Sequence, residues 1–195
     1  FGLGYDFSDD FKVDSNFRYT DAQNDFDSTD FSTGLPADSK NRTDVDQLYG
    51  RVIARLNTMD GRWSHQLSYA ITDTHNKNRD ENSFAPTGFD VTKADADVAI
   101  ASYQSTFQLL EDHSITAAIE HEEENYKQRG PTTYGDPNRN ESLDTDSLVL
   151  EYRGAVTESI SILAGMRRDD NSDFKDKTTG RLSAAWRIFD GRTKL

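Results

Sequence analysis

The residues best suited to chemistry are carboxylates. Asp25, Asp27 and Asp30 fall close together in a polar stretch, with Asp38, Asp44 and Asp46 behind them. Side-chain oxygens at this spacing suit Ca²⁺, which takes six to eight oxygen ligands in flexible geometry. The D-x-D-x-x-D pattern is not an EF-hand loop, because no glycine follows at the sharp turn. Two readings of Asp25, Asp27 and Asp30 stay open on the residues alone: a calcium site, and a solvated acidic loop. A second acidic stretch with Asp80, Glu81 and Asp90 completes such a site if the two stretches touch.

Other candidate constellations fail on spacing. His121-Glu122-Glu123-Glu124-Asn125 begins like a helical zinc motif, but the fifth position is Asn125 rather than histidine, and the region alternates like a strand. His65, His75 and His113 lie on different connections and form no triad. There is no glycine-rich phosphate cradle, and the chain has no cysteine, so neither a thiolate metal box nor a disulfide framework exists. No catalytic residues are expected, and the chain is not expected to be an enzyme.

The elements that must position these groups are strands. Leu148, Leu150, Tyr152, Gly154 and Val156 share one face of Asp146–Val156 while Glu151 and Arg153 take the other, the period of two that a strand with unlike sides requires. Ile160, Ile162, Ala164 and Met166 repeat the pattern after the Thr157-Glu158-Ser159 turn, and Gly180, Leu182, Ala184, Trp186 and Ile188 repeat it again. Earlier, Phe1–Phe7 and Phe11–Asp21 form a hairpin with Phe11, Val13, Phe17 and Tyr19 on one side. Gln47–Thr58 and Gly61–Thr74 form the next, around Met59-Asp60-Gly61-Arg62. Val98–Leu110 and Ser114–Tyr126 form a third, closed by Glu111-Asp112-His113. Asp190-Gly191 begins one more turn.

Between these hairpins lie long polar stretches, Ala22–Asp46, His75–Asp97 and Lys127–Thr145, punctuated by Gly34-Leu35-Pro36, Pro86, Gly88, Gly130-Pro131 and Asp136-Pro137, which read as large loops. Asp170–Lys177 is a shorter link of the same kind. Short and long connections therefore alternate strictly, and every short one lies at the same end of the sheet. An up-and-down antiparallel barrel in an outer membrane has this arrangement, with brief turns on one rim and long loops on the other. Strands of roughly 10 to 14 residues exceed the mode for soluble sheets and match a tilted crossing of the hydrocarbon layer. Tyr5, Phe11, Tyr19, Trp63, Tyr152 and Trp186 fall near strand ends, where amphipathic rings settle at headgroup level.

Composition sets the outer bounds. The 195 residues are 34% hydrophobic and 29% charged, with a net charge of −13 and a mean hydropathy of −0.83. That is a thin apolar supply for a globular core, yet 11% aromatic residues and the regular alternation argue against disorder. A wall of strands with one greasy face and one wet face needs no more. No run approaches the roughly 18 apolar residues of a membrane helix, which excludes a helical membrane protein and leaves a barrel. The acidic balance repels phosphate backbones, so nucleic acid is not an expected partner. The chain opens in mid-strand at Phe1-Gly2-Leu3-Gly4-Tyr5, with no initiating Met or signal peptide, and stops at Thr193-Lys194-Leu195. It reads as a piece of something longer.

The run Met166–Phe174, MRRDDNSDF, followed by Thr179–Trp186, TGRLSAAW, resembles the middle barrel of TonB-dependent outer-membrane receptors, closest to the vitamin B12 receptor group. Phe17-Arg18-Tyr19-Thr20-Asp21 before an Asp-rich stretch, and Gln47-Leu48-Tyr49 after it, are similar too. The resemblance implies an all-β, antiparallel up-and-down meander, about nine to ten strands of a transmembrane barrel of about 22. It implies a Gram-negative outer membrane, with the lipid, a separate plug domain, the remaining strands and the TonB complex as partners. The chain itself, a single segment over 1–195, departs from that whole in lacking the plug, the N-terminal coupling box and the closing strands. Transport of a scarce small-molecule ligand, such as cobalamin or a siderophore, would then belong to the complete protein. Outer-loop aspartates of that group bind calcium, which is what the resemblance implies for Asp25, Asp27 and Asp30.

On this reading Arg51, Arg55, Glu151, Arg153, Arg167, Arg181 and Arg187 face the lumen. Arg168 falls on the lipid face and is expected above the hydrocarbon, since an Arg at the midplane costs roughly 2–4 kcal/mol and one near the interface about 0–1. Two alternatives remain from the sequence: a soluble, secreted all-β module binding calcium or carbohydrate, and a passive porin-like barrel.

Overall fold

The alternating residues pair into one antiparallel sheet in which every strand neighbours its successor in the chain. The computed structural model describes residues 1–30, 32–132, 135–188 and 193–194. The turn expected at Asp190-Gly191 lies outside the described residues. The strands are β1 (Gly2–Asp6), β2 (Phe11–Thr29), β3 (Pro36–Thr58), β4 (Trp63–Glu81) and β5 (Phe89–Leu110). They continue as β6 (His113–Arg129), β7 (Arg139–Ala155), β8 (Ile160–Asn171), β9 (Lys177–Ile188) and a two-residue β10 (Thr193–Lys194). Contacts among the described residues join sequential strands only, so the sheet is open, with β1 and β9–β10 at its two edges. The all-β meander expected from the sequence is the observed fold.

What distinguishes this sheet is which side is buried. Opposed residues of an antiparallel pair point to the same face, and the face that collects Leu48, Val52, Leu67, Tyr69, Leu148, Leu150, Leu182 and Trp186 leaves all of them exposed. Leu182 is 79% exposed and Leu67 59%. On the opposite face Ser68, Ser147 and Asn41 are buried, and Ile53 is the one buried hydrophobic residue among the described ones. The polar face is thus the more crowded of the two, as the concave side of a curved sheet is. A soluble sandwich requires the reverse, with apolar faces stacked about 10 Å apart. Among the described residues, no second sheet covers Leu150, Tyr152, Leu182 and Trp186.

The apolar band crosses the ladder obliquely. Leu182, the last large apolar residue toward the outer end of β9, stands level with Thr58 on β3 through Ala164, Tyr152, Ile115, Phe107 and Trp63. On β3 the apolar residues continue ten positions further, to Leu48. At roughly 3.3 Å per residue and 4.8 Å per strand, ten residues over six strand steps make an angle of about 50°. Strands in membrane barrels tilt by roughly 35–45°, so a band that slants this much across the ladder runs close to level in a bilayer. Arg168 lies one step above Met166, the last apolar residue on its strand, and pairs with Asp176 at 2.7 Å.

The large loops read from the sequence are corrected by the ladder. Pairing of β2 with β3 extends to Thr29 and Pro36, so most of Ala22–Asp46 is strand. Likewise β4 and β5 pair out to Glu81 and Phe89, and β6 and β7 to Gln128 and Arg139. The real connections shrink to 30–35, 82–88 and 130–138, and β2 to β5 run 19 to 23 residues, longer than expected. The reason is physical: above the apolar band both faces are wet, so alternation in hydropathy vanishes while the strand continues. Cross-strand side-chain pairs hold it instead. Thr43 donates to Asn78 at 2.7 Å, Gln47 to Thr74 at 3.1 Å, and Tyr19 to Asp46 at 2.9 Å.

The turns at the other end are short, as expected. Met59, Asp60 and Gly61 take positive φ of 54°, 54° and 82°, a left-handed run that closes the β3–β4 hairpin with Arg62 N donating to Met59 O at 3.1 Å.

Candidate functional site

Three surfaces follow from the register: the outward band, the inward wall at the level of that band, and the hairpins that rise above it. The outward band carries aromatic residues toward its lower edge. Tyr5 and Phe7 meet edge to face at 4.7 Å, Phe7 stacks on Phe11 at 5.1 Å, and Trp63 meets Phe107 at 6.0 Å. Several polar tips within the band find partners on the neighbouring strand. Trp63 Nε1 donates to Ser105 Oγ at 2.7 Å, and His65, the polar exception on β4, shares a 2.8 Å hydrogen bond with the Tyr103 hydroxyl. Tyr152 folds its hydroxyl over Gly154 to reach His113 Nδ1 at 2.6 Å, across space that a Cβ at position 154 would fill.

The inward wall holds the charges the sequence assigned to a lumen. Arg167 on β8 donates from Nε to Asp169 at 2.6 Å and from Nη2 to Ser147 Oγ at 2.8 Å, and Nη2 also reaches across β7 to Glu120 on β6 at 3.3 Å. Ser147 Oγ passes its own proton to Asp169 at 2.7 Å. The network is closed on itself, so a buried hydroxyl and three ions are satisfied together. Arg55 pairs with Asp14 and donates to Gln66 at 3.2 Å. Arg51, Glu151, Arg153, Arg181 and Arg187 lie on the same face by register.

Above the band, Asp25 on β2 opposes Arg42 on β3, with Arg42 Nε 2.7 Å from Asp25 Oδ1. The guanidinium holds the Asp25 carboxyl below the usual carboxylate range, and the carboxylate raises Arg42 in turn. Asp30 caps the 30–35 turn. Its Oδ1 accepts from the Ser32 hydroxyl at 2.5 Å, from Ser32 N at 2.8 Å and from Thr33 N at 2.9 Å, which holds its carboxyl down at about 2. Asp27 stands exposed between them. Among the described residues no group of three or more His, Cys, Asp or Glu is spaced to hold a metal ion. The two acidic stretches do touch, at one point: Glu81 N donates to Asn41 Oδ1 at 2.7 Å, and its carboxylate accepts from Lys40 N at 3.1 Å. The zinc-like run splits between faces, with His121 outward on Asp146 at 2.8 Å and Glu122 and Glu124 inward.

One group escaped the sequence reading. His75 lies between two carboxylates, Nδ1 2.8 Å from Asp95 and Nε2 3.2 Å from Asp73. The hydrogen bond to Asp95 and the charge of Asp73 raise its pKa. Burial, and then the proximity of Asp73, push Asp97 up. Strict alternation in Thr72-Asp73-Thr74-His75 and Ala94-Asp95-Ala96-Asp97 is the signal that places all four ionisable groups on one face.

No protein-family model matches the chain, and no curated protein sequence does. Solved structures match by shape. The RagAB peptide importer in its 'open-open' state superposes with a TM-score of 0.60 at 12% identity over 96% of this chain. BauA, the ferric preacinetobactin receptor from Acinetobacter baumannii, gives 0.58 at 11% identity over 94%. The chain spans 29% of the first and 35% of the second, about a third of the length of either. At such identities the likeness concerns fold alone: an antiparallel meander of the kind that forms part of an outer-membrane barrel wall.

Proposed function

We propose that this chain is a stretch of the wall of a TonB-dependent transporter in the outer membrane of a Gram-negative cell, serving active uptake of a scarce small-molecule ligand. The observation that carries the reading is the inverted burial: large apolar side chains exposed on one face of the sheet, polar ones buried on the other. Two further features support it, the slant of the apolar band and the long hairpins that rise beyond it at one end. In this reading the band faces lipid, the Arg167 network and its neighbours face a plug, and the hairpins meet the ligand. The plug, the remaining strands and the segment that engages the TonB complex belong to the rest of a longer chain. The role is transport, with no catalytic step.

Calcium at Asp25, Asp27 and Asp30 belongs to the same proposal and requires the Asp25–Arg42 pair to open, because Arg42 now occupies the carboxylate.

The test uses the full-length protein. Outer-membrane fractionation with heat-modifiable migration, together with ligand uptake that stops when the inner membrane is de-energised, is the expected result. Recovery as a monodisperse monomer without detergent overturns it, since an apolar band of this size aggregates in water. Steady ion conductance in a planar bilayer with no energy input would favour the passive porin-like barrel instead.

A further inference from the structure

Above the apolar band the two faces of β2–β5 differ in kind. Outward, Asp21, Asp46, His75 and Asp95 form one row across the ladder, and Asp44, Lys77 and Lys93 lie in the next. Inward, the corresponding rows carry no ionisable group on these four strands. Thr20, Gln47, Thr74 and Ala96 make one row, which Tyr126 of β6 continues. Asn24, Thr43, Asn78 and Thr92 make another. Between them run Ala22, Val45, Asn76 and Ala94, ending on Gln128. The neutral zone ends at β7, where Glu141 and Arg139 turn inward. In a chain with 29% charged residues, three successive neutral rows over four strands, bounded by Asp80 and Asp90 above and Arg18 below, are a property of the site.

From this wall we infer the class of ligand: an uncharged, polyhydroxylated molecule, an oligosaccharide. The inference rests on the transporter reading for which face looks into the lumen. Amide side chains each offer a donor and an acceptor, the pairing that vicinal hydroxyls require. The wall is already oriented for it. Gln47 spends its Nε2 on Thr74 and keeps its Oε1, while Asn78 spends its Oδ1 on Thr43 and keeps its Nδ2. Tyr126 holds its hydroxyl on Gln128 at 2.5 Å, which fixes the ring, and an aromatic face suits the apolar side of a sugar ring. These groups are half-buried in the concave face, apart from the more exposed Asn24, Ala22 and Tyr126. A charged ligand would give up hydration against these three rows and find no counter-ion within them; the inward face of β2–β5 carries charge only beyond their edges, at Asp80 and Asp90 in the row above and from Arg18 downward. A free peptide, with an ammonium at one end and a carboxylate at the other, meets the same objection.

The experiment is calorimetric titration of the full-length protein in detergent. The uncharged probes are malto-, cello-, xylo- and manno-oligosaccharides; oligogalacturonate, chitosan oligomers and a free peptide are the charged ones. At least one uncharged probe should bind, with an affinity that changes less than about twofold between about 50 and 500 mM salt, since no ionic contact is screened. Gln47→Ala with Asn78→Ala should weaken it roughly tenfold or more, as expected for two lost hydrogen bonds. Asn78→Asp, which keeps the shape and adds a charge, should also weaken it. Asp21→Asn on the outward side should not. Binding of a charged probe in preference, equal binding by the inward variants, or no uncharged probe binding at all overturns the inference. A protein that fractionates to the outer membrane yet binds none of the uncharged probes refutes the ligand class and leaves the transporter reading standing.

Discussion

Arg42 on β3 reaches across the ladder to Asp25 on β2, Nε to Oδ1 at 2.7 Å, and thereby occupies the first carboxylate of the D-x-D-x-x-D run. A calcium ion bound at this run would compete with Arg42 for the same oxygen. If calcium binds here, Arg42→Ala raises the affinity of the full-length protein for Ca²⁺, and Asp25→Asn abolishes the gain. Isothermal titration with Ca²⁺ checks both. No Ca²⁺ uptake by either the native protein or the Arg42→Ala variant would exclude the site.

Gly154 is sterically required. A methyl group there would collide with the Tyr152 hydroxyl and with His113, whose hydrogen bond passes over the glycine. Gly154→Ala should destabilise the folded protein by about 1–3 kcal/mol, the usual cost of overpacking. Tyr152→Phe combined with Gly154→Ala should recover little, because the ring itself is also too close. Urea unfolding from lipid vesicles measures the loss.

Charge on the outward band is tolerated by height. Leu67 lies midway along the apolar face of β4, between Trp63 and Ile71, and Leu67→Arg should cost roughly 2–4 kcal/mol of insertion free energy. Arg168→Leu, at the band's upper edge, should change it by about 1 kcal/mol or less. Refolding of the full-length protein into vesicles, followed by heat-modifiable migration, separates them. Equal effects at the two positions would contradict the slanted band.

The His75 pair predicts a pH dependence confined to the β4–β5 hairpin. Because Asp95 and Asp73 hold the folded pKa above the ordinary value of 6.5, the stabilisation is complete below that ordinary value and fades as pH rises through the higher folded one. Amide exchange around Thr74–Lys77 and Lys93–Asp97, corrected for intrinsic rate, should therefore speed up as the pH rises above His75's ordinary value of 6.5. His75→Gln should flatten the response.

Where one face is apolar and the other polar, the strands were readable from their letters. Leu148–Val156 and Ile160–Met166 pair in the register that their apolar residues require. The extensions were harder, because Thr20–Asp25 and Thr72–Arg79 alternate in charge rather than in hydropathy. A search for apolar periodicity passes over them as loop. The turn role of Asp30 was not legible from its spacing, which suits a ligand set: its carboxylate accepts from the Ser32 and Thr33 groups of its own turn. The neutral inward wall was present in the letters as every second residue, and a count of charge by parity would have found it.

The slanted band has a consequence for assembly. Any further strand that extends the sheet beyond β1 or β10 must begin and end its greasy stretch at the height the slant dictates, and, if the band lies in a bilayer, a slip of two residues would drag a charged side chain into oil at one end while lifting a bare hydrocarbon into water at the other. The diagonal thus works as a ruler: it fixes how far each newcomer is staggered before a single loop has closed.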